Sequence, residues 1–232
     1  MSSLEKKDLK KLRKEILIGI ILGDGHLETQ NKGKTFRLKI EQSEKHKDYV
    51  FHLYDIWEDF CLKSPQKKAK GNSYNYAFQT LSSSTFRFYA QLFYDDKGKK
   101  IIPKESLLLN LLTPLGLAYW YMDDGSLKSS QSKGVYLNTQ GFTKEEINTL
   151  CIILKKKFDL DAWKSKDRDR FRIYKAKLYK FNFFNFKKVK IYISGKSYEK
   201  LRFLIFPHLL ESFHYKFPTI RIKPNTNKSR VN

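Results

Sequence analysis

The sequence predicts an α+β fold of two pseudo-symmetric αββαββα repeats, forming a saddle of two antiparallel sheets with a pair of apolar helices packed at the centre. Three observations carry this. The run Leu17-Ile18-Gly19-Ile20-Ile21-Leu22-Gly23-Asp24-Gly25 returns one hundred positions later as Leu117-Ala118-Tyr119-Trp120-Tyr121-Met122-Asp123-Asp124-Gly125. A stretch of polar–apolar alternation follows each run. A segment with helical apolar spacing then follows each alternation.

Taken in order, Leu12, Ile16 and Leu17 follow a Lys/Glu-rich start and open the first central helix, which stops at glycine, a common helix terminator. Thr35 to Glu41 alternates, with Phe36, Leu38 and Ile40 on one face and Thr35, Arg37, Lys39 and Glu41 on the other, so it reads as a half-buried strand. His46 to Phe60 carries Tyr49, Val50, Leu53, Ile56, Trp57 and Phe60 at helical spacing. A strand at Tyr74–Leu81 and a short helix at Thr85–Tyr94 complete the first repeat, and Asp95 to Pro103 is a polar, Lys-rich connector. In the second repeat Thr113 is an N-cap, with Pro114 at the first helical position. Val135 to Gln140 is its strand, with Tyr136, Asn138 and Gln140 on the polar face. The helix Thr143 to Phe158 opens with the capping box Thr143-Lys144-Glu145-Glu146. A strand at Val189–Ser194 and a helix at Ser197–Phe206 follow. Residues 165–187, dense in Arg, Lys, Phe and Tyr, have no counterpart in the first repeat. The predicted organisation is a first repeat over 1–96, a linker over 97–112, a second repeat over 113–222 and a flexible tail over 223–232.

Over 232 residues, 46 Lys+Arg against 24 Asp+Glu leave a formal charge of +22, which attracts polyanions, usually nucleic acid. A basic membrane-surface protein would concentrate its cations in one helix or block, whereas here they run along the whole chain. No apolar run approaches the roughly 18 residues of a spanning helix, and no secretory signal is visible. The two cysteines, Cys61 and Cys151, read as free thiols in a reducing compartment. The excess of Lys over Arg, with abundant Asn, Ile, Phe and Tyr, is what AT-rich coding produces and points to a mitochondrion or chloroplast.

One helix ending in Asp-Gly is unremarkable. Two of them, if packed side by side, bring Asp24 and Asp124 together, and Gly19 and Gly23 allow the backbones to approach. Paired carboxylates repel unless cations bridge them, and oxygen ligands at a phosphate-rich surface suit Mg²⁺. That is a metal site suited to attack of water on a phosphodiester. The candidate binding residues on the saddle are Thr35, Arg37, Lys39, Lys67, Lys68 and Lys70 in the first repeat, and Tyr136, Asn138, Gln140, Lys188, Lys190 and Tyr192 in the second. Singly, each is as well explained as a solvated sheet face; only the collective bias is informative.

The two runs resemble the paired motifs of LAGLIDADG homing endonucleases of the single-chain, two-repeat kind, and Leu112-Thr113-Pro114 and Leu137-Asn138-Thr139-Gln140 extend the likeness. The resemblance implies cleavage of both strands of a long asymmetric DNA site, short 3′ overhangs, a monomeric enzyme without membrane attachment, and divalent metal between the motif helices. Mg²⁺ is the implied ion, with Mn²⁺ or Ca²⁺ able to occupy the same sites. The family's metal ligands fall on Asp24 and Asp124, and its basic residues near the scissile phosphates on Lys100 and Lys216. By strand phase, the polar residues that order water beside the metal fall on Glu41 and Asn138, with Gln140 next. Tyr119, where the family prefers a small residue, implies an asymmetric helix contact, and Asp123 is expected to offer at most its carbonyl to metal. Two other readings use the same surface: an RNA maturase acting on a group I intron, and a DNA-binding regulator that no longer cuts.

Overall fold

A computed structural model describes residues 3–166 and 189–219. The first half runs α1 (Ser3–Leu22), β1 (His26–Glu28), β2 (Arg37–Ser43), α2 (Lys47–Trp57), β3 (Gln66–Lys70), β4 (Ser73–Gln79) and α3 (Arg87–Phe93). After α4 (Glu105–Leu111), the second half repeats the order: α5 (Pro114–Asp124), β5 (Gly125–Leu127), β6 (Val135–Leu137), α6 (Lys144–Phe158), β7 (Ala162–Lys166), β8 (Val189–Ile193) and α7 (Tyr198–Ile205). Each half forms a four-stranded antiparallel sheet of equivalent order, β1-β2-β4-β3 and β5-β6-β8-β7. No helix among the described residues is long and apolar enough to cross a membrane.

The C-terminal half of α1 and most of α5 are apolar on every side because they are enclosed on every side, whereas the Lys-rich first half of α1 is exposed. Ile16 to Ile18, Ile20 to Leu22 and Leu117 to Met122 are all buried. Thr113 caps α5 by accepting from the Gly116 N–H at 3.2 Å, and its hydroxyl donates to Glu15 Oε2 on α1 at 2.7 Å, so the cap of one helix also ties it to the other. The capping box of α6 forms as predicted.

In the first sheet Leu38, Ile40 and Phe78 point into the core, while Arg37, Lys39 and Glu41 face away from it. In the second, Val135, Leu137, Ile191 and Ile193 are buried, and the register sets Tyr136, Tyr192 and Trp163 side by side on the other face.

Several boundaries differ from the sequence expectation. Thr35 precedes β2, because Asn31 captures it: the Thr35 N–H donates to Asn31 Oδ1 at 2.9 Å and the Asn31 amide donates to Thr35 Oγ1 at 2.8 Å. β6 ends at Leu137; the Asn138 N–H goes to the Asp124 carbonyl at 2.9 Å, and Gln140 lies in the turn before α6. The stretch between the repeats contains α4, whose Leu108 is buried. Gly125 does not end α5 through a left-handed turn, since its φ is −68°; it begins β5, where a Cβ would meet the Tyr121 carbonyl at 2.3 Å. Of the basic aromatic segment, Ser165 and Lys166 belong to β7; residues 167–187, Lys188 and the tail lie outside the described residues. Both thiols are free, and burial pushes each up to about 11.

Candidate active site and nucleic-acid interface

Everything at the site follows from how closely α1 and α5 approach. A Cβ on Gly23 would lie 2.4 Å from Asp123 Oδ2, so glycine at the end of α1 makes room for the carboxyl at the end of α5. The Asp24 N–H then donates to that carboxyl at 3.0 Å, which joins the C-terminal ends of the two helices.

Asp24 and Asp124 project from this junction into different surroundings. The Asp24 side chain is exposed and accepts from Gln42 Nε2 at 2.8 Å. Asp124 Oδ2 accepts from the indole N–H of Trp120, one turn back, at 3.2 Å. Burial first, then the charge of Asp24, raises the Asp124 carboxyl to about 7. Two acids thus share one field, and at Asp124 burial and the Asp24 charge outweigh the opposing pull of Lys100 and Lys216.

A lysine flanks each helix end. Lys100 follows the turn after α3, where Asp95 and Lys99 are paired through the backbone, and its Nζ donates to the Gly23 carbonyl at 2.6 Å. Lys216, at the end of the 3₁₀ segment Glu211–Lys216, donates to the carbonyls of Met122 at 2.5 Å and Asp123 at 3.2 Å. Cations suit the negative end of a helix dipole, so the same geometry repeats at both ends. Burial lowers both amines, and the charges of Asp123, Asp24 and Asp124 oppose that lowering at each. Both lysines therefore face the same three acids.

The matching family model, that of the LAGLIDADG DNA endonuclease family, spans residues 14–181. The chain belongs to this family. It is 32% identical over 216 residues to the probable intron-encoded endonuclease 1 of Wickerhamomyces canadensis, covering 90% of this chain and 84% of that one. It is also 29% identical over 214 residues to the cytochrome b mRNA maturase bI2 of Saccharomyces cerevisiae, covering 87% of this chain and 46% of that protein. Among solved structures, the homing endonuclease I-WcaI bound to its DNA recognition sequence superposes with a TM-score of 0.76 at 28% identity, over 94% of both chains. The two repeats are thus the two motif-bearing halves of a single-chain LAGLIDADG endonuclease.

Around the paired aspartates of this family member, the expected residues separate into those that touch the site and those that do not. Asn138 does: its Nδ2 donates to the Asp124 carbonyl at 2.8 Å, although not to the carboxylate. Glu41 accepts from Asn75 Nδ2 at 2.7 Å and pairs with Lys68 at 3.7 Å, and the Asn75 bond, with Lys68 and Lys70, holds its carboxyl below the usual range. Gln42, its neighbour, is the strand residue that reaches Asp24. The signal for it was a polar side chain in the apolar phase of Leu38 and Ile40. His26, at the start of β1, was also missed; it lies beside Tyr94 with Nδ1 to hydroxyl at 3.3 Å, and burial and Lys100 lower it.

A groove of about 980 Å³ runs from Asp24 over the outer face of the first sheet, lined by His26, Arg37, Lys39, Glu41, Gln66, Lys68 and Gln79 among others. Arg37 and Lys39 both pair with Glu28, each at 3.1 Å, and Lys67 pairs with Glu44 at 2.8 Å. Lys70 is exposed at the β3–β4 hairpin. On the second sheet the candidates are aromatic as much as cationic: Tyr136 and Tyr192 lie 5.4 Å apart, with Lys190 over the Tyr136 ring at 4.0 Å.

Among the described residues no group of three or more His, Cys, Asp or Glu side chains could hold a metal ion. The donor set is two carboxylates, Asp24 exposed at the groove and Asp124 half-buried beside Trp120. That fits Mg²⁺, which commonly takes one or two carboxylates and completes its shell with water and substrate phosphate.

Proposed function

We propose that the chain is a site-specific homing endonuclease that hydrolyses one phosphodiester in each strand of a long asymmetric DNA duplex, with Asp24 and Asp124 holding Mg²⁺ and leaving short 3′ overhangs. The observation that carries this is the junction of the two helix ends, where two exposed or half-buried aspartates stand with a lysine on each side. A protein that only bound nucleic acid would have no physical need of both carboxylates with a lysine against each helix end.

The chain's own residues divide the work. Asp24 is oriented by Gln42, and Asp124 by Trp120 and by Asn138 acting on its carbonyl. Lys100 and Lys216, anchored on the helix-end carbonyls, stand where negative charge develops on phosphate and stabilise it there. Arg37, Lys39 and Lys68, with Tyr136, Lys190 and Tyr192, face the duplex across the two sheets, the first three through phosphate or base edges. The bound divalent ion supplies charge to the phosphate and lowers the pKa of water. Mn²⁺ or Ca²⁺ would fit the same oxygen donors. The protein acts as a monomer, because each repeat supplies one half of the site, and in the organelle whose AT-rich coding its composition reflects.

The likeness to a cytochrome b mRNA maturase supports a second role on the same scaffold, binding of group I intron RNA. The test is cleavage by purified protein with Mg²⁺ of a plasmid carrying the uninterrupted form of the gene around its reading frame. Loss of cutting in Asp24→Asn and Asp124→Asn with binding retained supports the nuclease reading, and cutting that survives both removes the site. Absence of DNA cleavage with tight binding of the intron transcript would make the maturase role the principal one.

A further inference from the structure

The hundred-residue offset makes Gly23 and Asp123 equivalent positions, yet one is the smallest residue and the other a carboxylic acid. They meet: the Asp123 side chain fills the space a Cβ of residue 23 would need, at 2.4 to 2.5 Å. Only one of the two positions can carry a side chain, and what the chain places there is an acceptor. We propose that Asp123 is a positioning residue, whose Oδ2 receives the Asp24 N–H and so sets the backbone of the metal-binding aspartate of the opposite repeat. This rests on Asp24 being a metal ligand, as proposed above.

Three features separate this from simple filling of space. Asp123 Oδ1 is sealed from solvent beside the buried Tyr49 hydroxyl, and Oδ2 is the oxygen that accepts a hydrogen bond, from the Asp24 N–H. Its main-chain carbonyl is occupied by Lys216, leaving the side chain as the part that reaches across to α1. Asp24 also follows the last turn of α1, where its N–H is directed to the opposite repeat, and Gln42 is the hydrogen-bond partner found on its carboxylate. Without Asp123 the aspartate of the first repeat would pivot about Gly23. Asparagine keeps a carbonyl oxygen at the same reach as Asp123 Oδ2, so it preserves the acceptor for the Asp24 N–H.

The test compares Asp123→Asn, which keeps an acceptor, with Asp123→Leu, which keeps the volume and loses it. Hydrogen exchange of the Asp24 amide, read by NMR on the full chain without DNA, should rise at least about tenfold in Asp123→Leu and stay near the wild type in Asp123→Asn. The Mn²⁺ concentration that half-broadens the Asp124 amide signal should rise several-fold in the first variant only. If Asp123→Leu does not fold, Asp123→Ala takes its place, with the Ile20 amide as the control for general loosening. Unchanged Asp24 exchange, or equal acceleration in the Asn and Leu variants, overturns the proposal. Should Mn²⁺ broaden neither aspartate in the wild type, the metal-site reading fails, while the exchange comparison still decides the hydrogen bond.

Discussion

A Cβ on Gly19 of α1 would stand 2.1 Å from the carbonyl oxygen of Gly116 on α5. The obstacle is backbone in the first turn of a helix, so it cannot turn aside as a side-chain tip could. Gly19→Ala must push the helices apart, and the displacement reaches Asp24 one turn later. The expected cost is at least about 2 kcal/mol in urea unfolding, with cleavage reduced as well. Gly71→Ala, at φ +58° with nothing nearby, should cost only about 1 to 2 kcal/mol from backbone strain and leave cleavage unchanged.

The same contact shows what the sequence could reveal. Gly19 and Gly23 announced a close approach, and that approach exists. Aligning the repeats pairs Gly19 with Tyr119, and the closest approach lies one turn nearer the start of α5, at Gly116. The Tyr119 Cβ still stands against Gly19, 3.0 Å from where a Cβ would be, while its ring turns toward α2, where its hydroxyl meets His52 Nε2 at 2.6 Å. Periodicity identified both sheets and most helices, because alternation and capping are local. It failed at Thr35, Asn138 and Gln140, where a loop side chain or a helix end takes over the backbone hydrogen bonds. Lys100 and Lys216 were legible only through the family motifs; in a chain with 46 cationic residues no local pattern distinguishes two.

Lys100→Met and Lys216→Met keep the aliphatic stem and remove the amine. Each should slow single-turnover cleavage by about 10²–10³-fold if the amine stabilises developing charge. Duplex affinity, carried by many contacts, should change far less. A loss of binding equal to the loss of cleavage would make these lysines ordinary phosphate contacts.

The raised Asp124 carboxyl gives a signed pH effect. Its proton is held to about 7 in the folded chain, against the ordinary 3.8 once unfolded. Its favourable contribution is therefore fully present below about pH 4 and lost as pH rises through about 7. His26, His46 and His52 are all lowered and work in the opposite direction, so the wild-type curve alone is ambiguous. Asp124→Asn removes one contribution. Measured without divalent ions, its urea midpoint should gain on the wild type between pH 5 and pH 8; a constant difference would mean the carboxyl ionises normally.

Glu28 holds both Arg37 and Lys39 at 3.1 Å, and their charges and hydrogen bonds, Lys39 first, keep its carboxyl below the usual range. DNA must compete for those two cations. Lys39→Gln should weaken duplex binding and reduce the slope of log affinity against log salt by about 1. Glu28→Gln should act the other way, tightening binding and steepening the slope. A flat salt response in the wild type would contradict a phosphate-tracking surface altogether.

Gln42 and Glu41 give the sharpest contrast, because they are adjacent and the strand turns them to opposite faces. Glu41 shares the outward phase of Lys39, and its carboxylate is satisfied within the first sheet by Asn75 and Lys68. Gln42 shares the inward phase of Leu38 and Ile40, and that row ends at the foot of α1, so its amide meets the Asp24 carboxylate. Gln42→Leu preserves the bulk of a half-buried side chain and removes the donor. It should lower single-turnover cleavage about tenfold, the worth of a hydrogen bond to a charged group, with duplex affinity retained. Glu41→Gln keeps an acceptor for Asn75 and removes a negative charge from the groove, so binding should tighten slightly and cleavage hold. The reverse order, with Glu41→Gln the damaging change, would mean that the outward face orients the aspartate and that the inward amide only fills space.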